Sequence, residues 1–191
     1  MKYNPQKHNR QSYRLKGYDY GSEGLYFITI CTADRVSLFG QIVDNKMILN
    51  KNGDVAYDCW LKIPEHFPHA KLHEFIIMPN HIHGIIEITE NVGAAEVNNI
   101  SPQRDQQYSA DFKSPSKTIG SIVRGFKIGV TKWMRNNTTI HDVWQRNYYD
   151  HIIRNDQSFY RIAEYIRKNP ENWKDDKFYT TISANSKNKP I

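Results

Sequence analysis

An α+β domain built on an antiparallel sheet, with its elements in β-α-β-β-α-β order and one added helix, is predicted by three features of this chain. Three apolar, β-branched runs alternate with two stretches of helical apolar spacing. The break Pro79-Asn80 separates two of those runs by only a turn. The length, 191 residues and 22.5 kDa, suits one domain able to bury its own core.

Residues 1–24 are polar and basic, with Lys2, Lys7, Arg10, Arg14 and Lys16 against Asp19 and Glu23. Tyr3, Tyr13, Tyr18 and Tyr20 are interleaved without any period, so the segment reads as a basic N-terminal arm. Leu25-Tyr26-Phe27-Ile28-Thr29-Ile30-Cys31-Thr32 reads as a buried central strand. Residues 36–43 and 46–49 flank Asp44-Asn45, a hairpin turn. Asn50 or Asn52 can cap a helix in which Val55, Ala56, Cys59, Trp60 and Ile63 recur at helical spacing, stopping near Pro64 or Pro68. Residues 72–78 and 82–89 form the second and third apolar strands.

Residues 91–117, rich in Asn, Gln, Ser, Gly and Pro, show no apolar period and read as a long, mobile surface insertion. Next, Ile119, Ile122, Val123, Phe126, Val130 and Trp133 line one helical face. Arg124, Lys127, Lys132 and Arg135 avoid that stripe, and no acid interrupts them. They form either a solvated face or a phosphate-binding surface. Residues 143–153 look extended, and 157–168 form the last helix. Pro170 ends it, because the residue before a proline is pushed out of the α region. Residues 174–191 are a polar tail, a lid or a disordered end. The order matches a split-βαβ, ferredoxin-like or RRM-like sheet with helices over one face, spanning 25–173.

A formal net charge of +6 and a pI of about 9.2 favour an anionic partner. Twelve tyrosines among basic residues suit single-stranded nucleic acid, where bases stack and phosphates pair with cations, although many rings can equally fill a core. Cys31 and Cys59 stand in unrelated contexts, which argues against a zinc cluster or a disulfide framework. No apolar run is long enough to span a bilayer and the polar N-terminus is no signal peptide, so a cytoplasmic protein without a membrane partner is expected.

The most informative motif is Met78-Pro79-Asn80-His81-Ile82-His83. A strand puts residues i and i+2 on one face, so His81 and His83 project side by side as a pair of imidazole ligands. Tyr165 and Asn169 lie one helical turn apart on the last helix, on a face shared with Arg161 and Lys168. A tyrosine hydroxyl, with a pKa of about 10, is a weak nucleophile unless its electrophile is polarised and the developing charge is held. Two histidines and the Asn169 amide oxygen make three ligands for a divalent ion, magnesium or manganese, with positions left for phosphate and water.

These residues, with Val143-Trp144-Gln145-Arg146 and Tyr165-xxx-Asn169-Pro170, resemble the single-tyrosine HUH transposases. Within them the chain is most similar to the REP-associated tyrosine transposases. Arg14-Leu15-Lys16-Gly17-Tyr18-Asp19-Tyr20 and Val123-Arg124-Gly125-Phe126-Lys127 carry the same likeness, which covers residues from about 10 to 173. The resemblance implies a DNA transposase that cuts and rejoins single-stranded or hairpin DNA through a 5′-phosphotyrosine. It implies Tyr165 as nucleophile, His81 and His83 as metal ligands, and Asn169 as the third, where the broader family often has glutamine. Arg14, Lys16, Tyr18, Gln145, Arg146 and Arg154 join the basic helix face as expected DNA contacts, and the protein would act as a monomer or homodimer.

Tyr148 and Tyr149 compete as nucleophiles, but adjacent strand residues point oppositely and only one could face a site. A histidine-triad nucleotide hydrolase would need a third alternating histidine where Ile85 stands. Two alternatives stay open: a catalytically silent binder of folded DNA, and a relaxase- or replication-initiator-type nickase.

Overall fold

The computed structural model describes residues 19–89 and 117–179. Arg14, Lys16 and Tyr18 of the arm, nearly all of the 91–117 insertion and the tail beyond Tyr179 lie outside the described residues.

The expected order holds. β1 (Gly24–Cys31) leads through a hairpin of β2 (Gly40–Val43) and β3 (Lys46–Leu49) to α1 (Lys51–Leu61) and the short α2 (Ile63–His66). Asp44 and Asn45, both at positive φ, make the turn of that hairpin. Asn50 caps α1, its side chain accepting from the Asn52 and Gly53 amides. β4 (Ala70–Ile77) and β5 (His81–Ile88) follow, then α3 (Ile119–Asn137), β6 (Tyr149–Ile153) and α4 (Asp156–Lys168). The main sheet runs β4-β5-β1-β6 with every neighbour antiparallel, β6 standing last among the described strands. This is the split-βαβ arrangement. No helix among the described residues is long and apolar enough to cross a membrane.

Alternation divides the sheet into two faces. Tyr26, Ile28 and Ile30 of β1 and Ile82, Ile86 and Ile88 of β5 pack with Trp60 of α1 and with Ile122, Val123, Phe126 and Val130 of α3. Leu25, Phe27, Ile85 and Ile153 point the other way, against Ala163 and Ile166 of α4. The helices therefore cover both faces, not the one expected. The amphipathic stripe of α4 showed that it docks; period alone does not say on which side. The extended stretch expected over 143–153 is broken: Trp144 bridges Thr32, and regular pairing begins only at Tyr149.

Gly84 allows α1 to lie close on β5. A Cβ there would overlap Trp60 Cζ2 and stand 2.8 Å from Trp60 Cη2 and 3.1 Å from Phe75 Cβ. Gly84→Ala is expected to destabilise the fold by about 2 kcal/mol through overpacking. The matched control Gly129→Ala, whose Cβ meets only Cys59 Sγ at 3.4 Å, should hold or raise stability, since alanine is the better helix former. Thermal melting of the two variants checks this; a Gly84→Ala curve superimposing on the wild type would show that Trp60 yields freely.

Candidate active site

On the α4 face, β5 presents His81 and His83, both buried. The register places Thr29 opposite His83 and Cys31 opposite His81. Across β1, Tyr149 sits opposite Thr29. β1 thus stands between Tyr149 and His83, roughly two strand spacings or ~10 Å apart. Tyr165 stands nearer: its hydroxyl lies 3.2 Å from His83 Nε2, and its ring meets Phe27 edge-on at 6.2 Å.

Hydrogen bonds orient both histidines and fix the tautomer of His81. Asn80 is fully buried and donates its amide hydrogens to the carbonyls of Arg35 (3.1 Å) and Phe178 (2.8 Å). Its Oδ1 must then accept, and His81 Nδ1 lies 2.9 Å away. His81 therefore carries its proton on Nδ1 and keeps a bare lone pair on Nε2, which is buried and has no hydrogen-bond partner. Thr29 Oγ1 lies 2.8 Å from His83 Nδ1. Burial disfavours the imidazolium of both rings, holding His81 down to about 4 and His83 well below the usual histidine range, the latter helped by its neighbour His81. Both imidazoles are neutral at pH 7, the form that binds metal.

The helix supplies the rest of the cluster. Asn169 was expected to leave the α region ahead of Pro170, yet it keeps φ −57° and ψ −40°. Its side chain therefore stays one turn from Tyr165, beside His81. Asn169 Oδ1 is buried and accepts no hydrogen bond, while Nδ2 donates to Asp176 Oδ2 at 3.0 Å. Asp176 is the residue missed in the sequence. It follows a 3-10 turn at Trp173–Asp175, in the stretch read as a polar tail, where no periodicity marks a functional acid. Its Oδ2 lies 3.4 Å from the Tyr165 hydroxyl, and Oδ1 accepts from the Phe178 amide. Phe178 and Trp173 close over His81 at ring distances of 4.6 and 5.9 Å. Burial, then the Asp176 charge, push the Tyr165 hydroxyl up to about 12, so it is fully protonated at neutral pH.

This cluster fits a divalent ion. Two orphaned buried acceptors, His81 Nε2 and Asn169 Oδ1, are what a metal-ligating set would leave unsatisfied without its ion. The ligand atoms of His81, His83 and Asp176 all lie within 4.8 Å of one another, a mixed N/O set.

The other expected contacts are spread more widely. Arg124, Lys132 and Arg135 are exposed on α3, in the layer on the far side of the sheet from Tyr165. Lys127 does not share their surface. It turns inward, donating to the carbonyls of Gln145 (2.7 Å) and Asn147 (3.0 Å) beside the Trp144 ring, and burial lowers its pKa to about 8. It anchors the 145–147 loop, a long aliphatic stem reaching where helical spacing alone could not place it. Gln145 is half-buried there, Arg146 is exposed, and Arg154 is exposed just past β6.

No protein-family model matches the chain. An "Uncharacterized protein" of Haemophilus influenzae is 51% identical over 179 residues, covering 93% of this chain and 97% of that protein, and the two belong to one family. A "Putative REP-associated tyrosine transposase" of the same organism is 25% identical over 156 residues, covering 80% of this chain and 73% of that protein. The chain is thus similar to a protein described as a REP-associated tyrosine transposase. A solved structure of a REP-associated tyrosine transposase bound to a REP hairpin shares the fold, with a TM-score of 0.55 and 19% identity over 85% of this chain and 74% of that one. In this chain the added helix α4 brings Tyr165 against the His-x-His strand.

Proposed function

We propose that this chain cleaves and rejoins single-stranded or hairpin DNA, with Tyr165 as nucleophile. The observation that carries the reading is the Tyr165 hydroxyl 3.2 Å from His83 Nε2, inside a cluster with His81, Asn169 and Asp176. Tyr165 Oη attacks a phosphodiester, an O–P bond to tyrosine forms, and the bond to the 3′-oxygen breaks. The tyrosyl proton passes toward Asp176 Oδ2, the carboxylate nearest the hydroxyl, and the departing 3′-oxygen takes a proton from solvent water to end as a free hydroxyl. Attack by a 3′-hydroxyl on the phosphotyrosine reverses the step without ATP, since the covalent link stores the broken ester. His81, His83 and Asn169, with Asp176 alongside, would hold magnesium or manganese, which when bound polarises a phosphoryl oxygen and steadies the charge developing there.

Asn80 and Thr29 act through the histidines: each bonds the Nδ1 that faces away from the site and so aims Nε2 into it. Phe178 and Trp173 keep water from the His81 side. The test is incubation of the purified protein and manganese with end-labelled single-stranded fragments of its own genomic flanks. A band that resists denaturation is expected; its absence on every fragment would favour the silent binder.

A further inference from the structure

Three rings form a triangle on the α4 face of the sheet. Phe27 of β1 lies against the His83 imidazole, with centroids 5.3 Å apart and planes inclined at 30°. It also meets the Tyr165 ring edge-to-face, at 6.2 Å and 84°. His83 and Tyr165 close the third side at 5.3 Å. We propose that Phe27 is a positioning residue for the Tyr165 reaction: its ring sets the plane of the His83 imidazole and the direction of the Tyr165 phenol, and itself touches neither ion nor DNA. The inference rests on the reading of Tyr165 given above.

Register explains the first contact. Phe27 pairs with Ile85 and Thr29 with His83, so Phe27 is the diagonal neighbour of His83, a separation that aromatic side chains span. Thr29 and Phe27 divide the task of orienting that ring. The Thr29 hydroxyl, 2.8 Å from Nδ1, fixes one point, about which the imidazole can still turn. A flat side chain against its face removes this freedom and so sets the line along which Nε2 points. The second contact matters because the polar neighbours of the Tyr165 hydroxyl cannot hold it through the reaction. They are His83 Nε2 at 3.2 Å, Asp176 Oδ2 at 3.4 Å and the Asn169 side chain. Each would turn to a bound divalent ion, leaving the hydroxyl without a fixed partner. The edge-to-face contact with Phe27 is directional and indifferent to that exchange. Phe27 is itself held, packed with Leu25 against Ile85, Ile153, Ala163 and Ile166.

The test compares Phe27→Leu, which stays apolar but loses the flat face, with Leu25→Ala, which removes bulk from the same cluster one side-chain row further from His83. Phe27→Met, another flexible apolar side chain, repeats the first arm. Calorimetry with manganese reads the His83 half without turnover, and single-turnover adduct formation at saturating manganese and DNA reads the Tyr165 half. Phe27→Leu and Phe27→Met are expected to bind manganese about tenfold more weakly. Their adduct rate should fall about 100-fold, the loss that goes with a misplacement of about 1 Å at the reacting atoms. Leu25→Ala should melt lower yet match the wild type in both readouts. Wild-type affinity and rate in the Phe27 variants would overturn the proposal. Equal losses in Leu25→Ala would overturn it too, by making Phe27 one more packing residue. Wild type that never forms adduct removes Tyr165 as nucleophile, and the manganese affinities alone then decide whether Phe27 holds His83.

Discussion

Tyr165→Phe is expected to abolish the denaturation-resistant protein–DNA adduct while leaving DNA affinity and thermal melting close to wild type. The substitution removes one oxygen, and that oxygen is the atom proposed to bond to phosphorus. The ring contact with Phe27 remains, and Tyr165 is 41% exposed, so the lost hydroxyl contributes no more than about 1 kcal/mol to folding. Without the nucleophile nothing else in the cluster can make a covalent ester: His81 and His83 are buried, neutral and aimed at one another's site. Gel analysis after denaturation reads the outcome directly. Adduct surviving in the variant, or mapped by mass spectrometry to Tyr149 in the wild type, would reassign the chemistry to β6.

The second large effect is expected at the histidines. His83→Ala should eliminate adduct formation and weaken manganese binding at least about 100-fold, the upper range for disturbing even a supporting partner of a metal ligand. His81→Ala should do the same and also melt lower, because its ring fills the space beneath Phe178 and Trp173. Calorimetric titration with manganese is the deciding measurement, since it does not depend on turnover. A chelator added to wild type should reproduce the loss of adduct. Full-rate cleavage in excess chelator, with unchanged manganese binding in both variants, would remove the ion from the mechanism.

Much of this arrangement was legible because it follows from short periods. The alternation His81-Ile82-His83 read as a strand presenting both imidazoles to one face, against a plainer reading of two histidines beside a turn, and the Tyr165–Asn169 interval read as one helical turn. Asn80 read as half of a turn; that it is wholly buried and orients His81 depends on the carbonyls of Arg35 and Phe178, which are distant in sequence. Asp176 was illegible for the same reason. A lone acid in an aperiodic stretch carries no signal until tertiary structure folds it back on Asn169. Lys127 shows the opposite error, since a helical wheel gives the direction of Cβ but not the reach of four methylenes, and its ammonium ends on the loop carbonyls.

The helix that bears Tyr165 is fastened at both ends to the chain that bears the histidines. β6 enters it through only two residues, Arg154 and the capping Asn155, and beyond it the Trp173–Phe178 strap is pinned by the Asn80 amide. Within one polypeptide, then, the tyrosine and both histidines meet in one centre. On the reading proposed above, a centre with a single tyrosine has one covalent seat and would hold one severed end at a time. Excising a segment, which requires two cuts, then takes either two molecules acting together or one molecule acting twice. The ratio of protein to DNA ends becomes a kinetic variable of the reaction: a dependence on the square of protein concentration would signal the first route, and a linear one the second.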